Sequence, residues 1–279
     1  MKKIIFNSGR ILSVMLVAAA AFLFSTQMMA QNKEGDVKVV AHRGYWKTDG
    51  SFQNTITALK KSAEIQAYAC ELDVNMTSDG VIVVCHGPKV GDVEDVQKVT
   101  YARMLDVKFK NGDGVPTLEE FLKAAKKGWK VAGKGTVKPR LVLEVKTHPA
   151  DKRVEVVSKV VALVRKYRMA DRTDFIAFNY DICKELRKQM PEVPVQYLLG
   201  DKSPEEICKD GIMGIDYEYS TLLANHEWIE QAHSLGMVVN VWTVDDPDKI
   251  ETMIQLGVDY ITTNEPVLTQ ELVAKYANK

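Results

Sequence analysis

Residues 68–86, YACELDVNMTSDGVIVVCH, decide the fold of this chain. The run Tyr68–Val74 predicts a buried strand, and the turn signal Asp79-Gly80 separates it from a second run, Val81–His86. A parallel crossover needs about a dozen residues, more than lie between the two runs. The second run is therefore predicted to fold back antiparallel on the first, as a hairpin excursion.

The rest of the chain alternates strands with amphipathic helices. The predicted barrel strands are Val37–Ala41, Tyr68–Val74, Leu141–Lys146, Asp174–Phe178, Val195–Leu199, Ile215–Tyr219, Val238–Val244 and Tyr260–Thr263. The predicted helices are Thr55–Gln66, Leu118–Lys127, Val154–Tyr167, Ile182–Gln189, Glu205–Cys208, Glu227–Leu235 and Lys249–Leu256. Eight alternating strands favour an α/β fold, a (β/α)8 TIM barrel with the hairpin excursion after strand 2. An open doubly wound sheet is the alternative, but no G-x-G-x-x-G motif follows the first strand.

The first 30 residues have the pattern of a secretory signal peptide. Lys2, Lys3 and Arg10 precede the apolar run Ile11–Phe24, which is short for a membrane span. An uncleaved anchor is the alternative, since Met28 makes the cut site imperfect. We expect an exported protein, periplasmic or secreted, with no stable membrane insertion after cleavage.

Residues 31–279 are predicted to form one barrel domain, which matches the usual length of about 250 residues. Its net charge is −3, and no basic run suggests nucleic-acid binding. Residues 87–115 are polar and are predicted to be a loop insertion over the barrel mouth, either a lid or a plain surface insertion. Nothing in the sequence specifies an oligomeric state.

Four cysteines in an exported chain raise the question of disulfides. Cys70 and Cys85 lie on the two arms of the hairpin, and Cys183 and Cys208 lie on successive predicted helices. Either pair is a candidate bridge, although spacing cannot establish the required geometry and free buried thiols are favoured.

Three carboxylates fall on neighbouring strands. Glu71 and Asp73 are two residues apart, so they point to the same side of one strand, and Glu144 holds the equivalent place on the next barrel strand. Buried carboxylates need an ion pair or a metal. Hard oxygen ligands favour a divalent cation, Mg²⁺ or Ca²⁺. A set of salt bridges with Arg43 and Lys146 is the structural alternative.

Two histidines accompany these carboxylates. The hairpin register brings His86 beside Glu71 or Leu72, and His42 ends the first strand, where Gly44 permits a turn toward the mouth. A histidine pair at a carboxylate site indicates general acid and base catalysis. Arg43 is suited to phosphate oxygens.

Other polar and aromatic residues are assigned more modest roles. Trp242 is predicted to form an apolar wall for substrate, and Tyr217 and Tyr219 to pack in the core. His148 has no evident partner, so a place on the rim is the less favoured interpretation. His226 and His233 are expected on the surface.

The ordered motifs resemble the glycerophosphodiester phosphodiesterase family. They are Ala41-His42-Arg43-Gly44, Gln53-Asn54-Thr55, Glu71-Leu72-Asp73-Val74, Thr77-Ser78-Asp79-Gly80, Val84-Cys85-His86, Leu143-Glu144-Val145-Lys146, Val241-Trp242-Thr243-Val244-Asp245-Asp246-Pro247 and Gly257-Val258-Asp259-Tyr260-Ile261-Thr262-Thr263. The resemblance implies a phospholipase C-like phosphodiesterase barrel in which Glu71, Asp73 and Glu144 hold the cation. It also implies that His42 and His86 are acid and base and that Arg43 and Lys146 bind phosphate. The expected reaction is hydrolysis of a glycerophosphodiester, a small-molecule substrate, to glycerol 3-phosphate and an alcohol.

Two positions depart from the family pattern. Gln53 replaces the usual Glu, and Gly87 replaces the usual Asp after the second histidine. The first change predicts a less negative site, and the second removes a partner for His86. They motivate one alternative, a catalytically weak barrel that binds phosphodiesters or glycans. The scaffold also resembles phospholipases of the D-like or phosphoinositide-cleaving kind, so a related phospholipase acting on intact lipids is a second alternative.

Overall fold

The structure, a computed structural model, describes residues 37–277 and contains a closed barrel of eight parallel strands. The barrel strands are β1 (Lys38–Ala41), β2 (Ala69–Met76), β6 (Arg140–Val145), β7 (Thr173–Ala177), β8 (Val195–Tyr197), β9 (Gly214–Glu218), β10 (Val238–Trp242) and β11 (Tyr260–Thr263). They are hydrogen-bonded in chain order, and β1 closes the ring by pairing with both β2 and β11. The predicted TIM barrel is confirmed.

Helices surround the barrel. They are Ile56–Glu64, Tyr101–Met104, Leu118–Lys127, Arg153–Tyr167, Tyr180–Gln189, Pro204–Cys208, Tyr219–Ala224, Glu227–Ser234, Pro247–Leu256 and Pro266–Ala277, with 3-10 turns at Val96–Lys98, Ala150–Lys152 and Ala170–Arg172. The helix Leu118–Lys127 has its predicted bounds because Thr117 and Glu120 form a capping box and Gly128, at φ 68°, ends it. Every predicted helix is present within about two residues.

Some elements were not predicted. The helices Tyr219–Ala224 and Pro266–Ala277 were missed, as was a small antiparallel hairpin of β4 (Trp129–Val131) and β5 (Gly135–Val137). Neither helix buries a long apolar stripe: the first buries only Leu222, and the second only Pro266 and Thr269. A helix with so few buried positions has little apolar periodicity to detect.

The predicted hairpin excursion is present. β3 (Ile82–Val84) pairs antiparallel with β2, with Val74 opposite Val84, and continuing this register places His86 opposite Leu72 as expected. Because β6 occupies one edge of β2, β3 lies on the same edge as β1, farther toward the carboxyl end. The hairpin thus carries His86 to the part of the mouth where β1 ends.

The insertion 87–115 has a small apolar core of its own. Val83 and Cys85 from the hairpin pack with six apolar insertion residues that are buried, Val90, Val93, Val96, Met104, Val107 and Val115. The insertion also reaches the loop after β1, where Phe109 stacks on Phe52 with ring centroids 4.2 Å apart. None of its residues lines the cavity described below, so it packs beside the mouth as a structured module.

The remaining expectations concern cysteines and membranes. Cys70, Cys85, Cys183 and Cys208 are all free thiols. Among residues 37–277, no helix combines the length and apolarity that crossing a membrane requires. The predicted signal peptide, residues 1–30, lies outside the described residues.

Candidate active site

The turn after β1 aims one backbone group at the site. Arg43 and Gly44 have left-handed φ angles of 56° and 78°, and a Cβ at Gly44 would lie 2.7 Å from that of Ala58. Glycine at 44 is therefore required by space as well as by conformation. The turn directs the Arg43 N–H to Glu71 Oε2, 2.7 Å away.

The three predicted carboxylates converge. Glu71, Asp73 and Glu144 each offer an oxygen that lies within 4.8 Å of the others, and all three residues are buried. Like charges this close repel strongly when they are out of water. Burial raises the pKa of Glu71 well above its ordinary value, and the charges of Asp73 and Glu144 add to the rise.

The two basic side chains predicted at the site, Lys146 and Arg43, form ion pairs with these acids. Lys146 Nζ is 2.8 Å from Glu144 Oε1 and 3.4 Å from Asp73 Oδ1, and Arg43 Nε is 3.4 Å from Asp73 Oδ2. Burial would raise the pKa of Asp73, but Lys146 and Arg43 outweigh it and hold the pKa at about 2. Burial and Asp73 raise the pKa of Glu144 to about 8.

The carboxylate set fits a divalent cation. Three acids face two basic side chains, and Glu71 has no lysine or arginine side chain as an ion-pair partner among the described residues. Oxygen atoms within 4.8 Å of one another suit an ion whose bonds to oxygen are roughly 2.0–2.6 Å long. The salt bridges that formed the structural alternative are present, yet they leave one carboxylate uncompensated. Glu71, Asp73 and Glu144 could therefore hold a metal ion.

His42 is held by a hydrogen-bond chain that the sequence did not reveal. Its Nδ1 lies 2.9 Å from Asn264 Oδ1, and Asn264 Nδ2 donates to Asp245 Oδ2 at 2.8 Å. This arrangement assigns the proton to Nδ1 and leaves Nε2, 4.0 Å from Glu71 Oε2, free to accept one. Burial, with help from Arg43, lowers the pKa of His42 to about 4, so the ring is neutral at pH 7.

His86 lines the same cavity as His42, Glu71 and Glu144. Burial lowers the pKa of His86 as well. Its segment is held by Asn75, whose Nδ2 donates to the carbonyls of Cys85 at 2.9 Å and of His86 at 3.3 Å. The two imidazoles therefore face one space beside the carboxylates.

The two departures from the family pattern have local explanations. Gln53 Oε1 accepts a hydrogen bond from Arg43 Nη1 at 2.8 Å, so this residue positions the guanidinium. Gly87 has φ 58°, and a Cβ there would lie 2.9 Å from Asn75 Nδ2. Asn75 thus occupies the space that a side chain at position 87 would need.

Asn54, in the Gln53-Asn54-Thr55 motif, has a role that the sequence did not predict. Asn54 is buried, its Nδ2 donates to Asp73 Oδ2 at 2.8 Å, and its Oδ1 accepts from the Asp73 N–H at 3.0 Å. These paired bonds fix the Asp73 side chain relative to the loop after β1. The polar run Gln53-Asn54-Thr55 was the available signal in the sequence.

The remaining predicted residues lie at the cavity, in the core or on the surface. Trp242 lines the cavity with Phe178, whose ring centroid lies 5.4 Å away, as the wall prediction requires. Tyr217 is buried, and Tyr219 is partly buried against the same core. His226 is exposed, and His233 is partly exposed and pairs with Asp259 at 3.0 Å.

The expectation that His148 lacks a partner is wrong. The ring is buried, its Nε2 accepts the Met76 N–H at 3.1 Å, and its Nδ1 lies 2.7 Å from the Lys146 carbonyl oxygen. Both partners are backbone groups, which a search for paired side chains cannot find. His148 therefore ties β2 to the segment after β6.

A cavity of about 110 Å³ lies at the carboxyl ends of the strands. Its charged side comes from β1, β2, the hairpin and β6, through His42, Arg43, Glu71, His86 and Glu144. The opposite side is mostly apolar. Such a cavity accommodates an anionic group beside a cation, with an uncharged portion against the apolar wall.

Comparison with known proteins agrees with this geometry. Residues 42–268 match the model of the glycerophosphoryl diester phosphodiesterase family. A glycerophosphodiester phosphodiesterase from Caldanaerobacter subterraneus is 28% identical over 253 residues, covering 85% of this chain and 98% of the relative. The crystal structure of a glycerophosphodiester phosphodiesterase from Parabacteroides distasonis is 41% identical, with TM-score 0.82, covering 88% of this chain and 100% of its own.

A more distant structure shares the fold. It is an Oleispira antarctica phosphodiesterase in complex with the product sn-glycerol-3-phosphate, 18% identical with TM-score 0.71, covering 85% of this chain and 96% of its own.

Proposed function

Because the chain belongs to the glycerophosphoryl diester phosphodiesterase family, we propose that it hydrolyses glycerophosphodiesters to glycerol 3-phosphate and an alcohol. The observation that carries this proposal is that both imidazoles, Glu71 and Glu144 line one cavity, with an Asp73 oxygen within 4.8 Å of the other two carboxylates. A hydrolase of this kind must neutralise phosphate charge, accept one proton and donate another. Each of these tasks has a candidate group at the mouth of the barrel.

The carboxylates are assigned to a divalent cation. Glu71, Asp73 and Glu144 would hold Mg²⁺ or Ca²⁺, which supplies positive charge next to the phosphate when bound. Arg43 and Lys146 add two further charges on the same side. Gln53 positions the Arg43 guanidinium, and Asn54 orients the Asp73 carboxylate.

The histidines are assigned to proton transfer. One imidazole removes the proton of the attacking oxygen, and the other donates a proton to the leaving alcohol. A neutral ring with a free nitrogen is needed for the first step, and the hydrogen bond from His42 Nδ1 to Asn264 leaves Nε2 in that form. His86, which is carried by the hairpin, provides the second ring in the same cavity.

The test is release of glycerol 3-phosphate by the purified protein. We expect turnover of glycerophosphodiesters that is lost with EDTA and restored by adding back Mg²⁺ or Ca²⁺, which also identifies the preferred ion. A panel of headgroups measures the preference for the alcohol. Absence of metal-dependent release from every diester in the panel would refute the assignment, and turnover of intact lipids alone would favour the phospholipase alternative.

We further propose that residues 1–30 direct export and are then removed. The basic head and short apolar run support this assignment. N-terminal sequencing of the protein recovered from the periplasmic and secreted fractions is expected to begin at Gln31. A chain that begins at Met1 and sediments with membranes would support the anchor alternative.

A further inference from the structure

The floor of the cavity contains buried polar atoms that lack hydrogen-bond partners. Gln196 on β8, Asp216 on β9 and Asn240 on β10 are each at most 1% exposed. Within residues 37–277, Gln196 Oε1 and Nε2, Asp216 Oδ1 and Asn240 Nδ2 have no partner. Each such atom costs roughly 1–3 kcal/mol if it stays unsatisfied. Burial raises the pKa of Asp216, and the Asn240 side chain lies close enough to the carboxyl to oppose that rise. Both polar atoms of Gln196 lack a partner within residues 37–277, so a group from outside this range is expected to bond with the floor.

The surrounding residues make room for this polar floor. A Cβ at Gly214 would lie 2.9 Å from Gln196 Cγ and 2.6 Å from Val238 Cγ2, so a larger residue there would collide with the Gln196 side chain. Thr262 Oγ1 donates to Asn240 Oδ1 at 3.1 Å, which fixes the Asn240 amide. In addition, Asp216 and Asn240 are direct partners in the pairing of β9 with β10.

The floor opens into the catalytic cavity. Asp216 and Thr262 line it together with His42, His86 and Glu144. Between the polar groups, Ile176 and Leu198 contribute apolar surface. A polyol has the matching chemistry, because its hydroxyl groups hydrogen-bond whereas its C–H groups pack against apolar side chains.

We propose that Asp216, supported by Gln196, Asn240 and Thr262, hydrogen-bonds the hydroxyl groups of the glycerol moiety and thereby determines specificity. This inference rests on the proposed function, since it places the glycerol part of the substrate below the phosphate. A site built around buried polar groups discriminates strongly against ligands that leave those groups unpaired. Water alone in the floor is the competing occupant.

Two ligands of equal charge test the proposal. sn-Glycerol 3-phosphate and propyl phosphate share the phosphate and the three-carbon chain but differ in two hydroxyl groups. Calorimetric titration in the presence of Mg²⁺ is expected to show that the wild-type protein prefers glycerol 3-phosphate by roughly tenfold or more. In Asp216→Leu this preference should largely disappear while propyl phosphate still binds. In Asp216→Asn, which keeps hydrogen-bonding groups, much of it should remain.

Matched variants guard against a trivial loss of structure. Thr262→Val removes a cavity-lining hydroxyl that also fixes the Asn240 amide. It should reduce the preference in the same direction, so it provides a test if Asp216→Leu does not fold. Asp174→Asn changes another buried carboxylate, one that does not line the cavity, and should keep the wild-type preference.

The outcomes distinguish this inference from the proposed function. The glycerol subsite would be overturned if the wild-type protein showed no preference between the two ligands. It would also be overturned if Asp216→Leu and Thr262→Val weakened the binding of both ligands equally, and water would then be the occupant of the floor. A protein that prefers glycerol 3-phosphate but hydrolyses no diester would retain the subsite and refute the hydrolase assignment.

Discussion

The two ends of the barrel interior both bury charge, but they do so in different ways. At the amino end, Asp174 pairs with Arg140 at 3.3 Å, and the guanidinium carbon lies 5.4 Å from the centre of the Tyr68 ring. One acid meets one base, and an aromatic ring covers the pair. At the carboxyl end, three acids share two bases beside a cavity. The comparison separates charge arranged for stability from charge held available for a ligand.

Removing a histidine is expected to have the largest effect. His42→Ala and His86→Ala should each reduce kcat about 100-fold or more while changing the unfolding free energy little, because proton transfer is the lost contribution. Steady-state hydrolysis and thermal unfolding measure the two quantities. His226→Ala, at an exposed site, is the control. Equal turnover in all these variants and the wild type would favour the binding-only barrel.

Exchanging one acid at each end should sharpen the comparison directly. Asp174→Asn weakens the contact with Arg140, which still donates to the Asp171 carbonyl, but it also removes the cost of burying the Asp174 charge. It should lower the unfolding free energy by about 1 kcal/mol, with activity nearly retained. Glu71→Gln should do the reverse: activity is lost, and the protein in EDTA becomes more stable by roughly 1 kcal/mol. The reason is that the raised pKa of Glu71 makes its ionisation costly at neutral pH.

Urea unfolding in EDTA and hydrolysis in the presence of metal measure these two variants. If Glu71→Gln destabilised the metal-free protein as much as Asp174→Asn does, the carboxyl end would be a structural ion-pair network like the amino end. That result would remove the basis for a metal site.

The pH dependence of stability should identify a structural group within the carboxyl end. Burial lowers the pKa of His148 below its ordinary value of 6.5. As the pH falls through 6.5, the unfolded ring takes up a proton that the folded ring does not, so the folded state loses stability. The loss attributable to His148 is at most about 1.4 kcal/mol per pH unit.

His148→Gln keeps an acceptor for the Met76 N–H and a donor for the Lys146 carbonyl without titrating. Between pH 7 and 5, the unfolding free energy measured with urea should therefore fall less steeply for the variant than for the wild type. Identical slopes would show that His148 does not titrate differently in the folded and unfolded states.

Adding an acid next to His86 should have the smallest effect on stability and activity. Gly87→Asp restores the family residue but meets the Asn75 amide, and it should cost about 1 kcal/mol more stability than Gly50→Asp. Gly50 also has a left-handed φ, 71°, but a Cβ there would have no heavy atom within 4 Å, so it isolates the backbone cost. A gain in kcat for Gly87→Asp would show that Asn75 does not substitute for the missing aspartate.

The barrel could be predicted from the sequence because its signals are local. Each barrel strand is a short buried run, and Tyr260–Thr263 was placed with its observed bounds. The hairpin followed from a turn signal and a spacing too short for a crossover. The apolar core of residues 87–115 was missed because isolated valines between Gly and Asp show no helical or strand period.

The candidate site was only partly predictable. Glu71, Asp73 and Glu144 stand out because charge inside a buried strand is rare. Asn264 contacts His42, and Asp245 contacts Asn264, through side chains from distant loops, so no spacing in the sequence reveals them. Asp216, Gln196 and Asn240 lie singly on three short strands, and only the register of those strands brings them together.

The hairpin also has a consequence for how the protein loses function on warming. His86 directly precedes the insertion, whose small apolar cluster is separate from the main core. β3 is anchored in the main core through Ile82 and Val84, and His42 follows β1 in the ring of strands. Units with few buried contacts open at lower free energies than a main core does. We expect activity to be lost reversibly a few degrees below the unfolding temperature of the barrel, because the insertion next to His86 unfolds first.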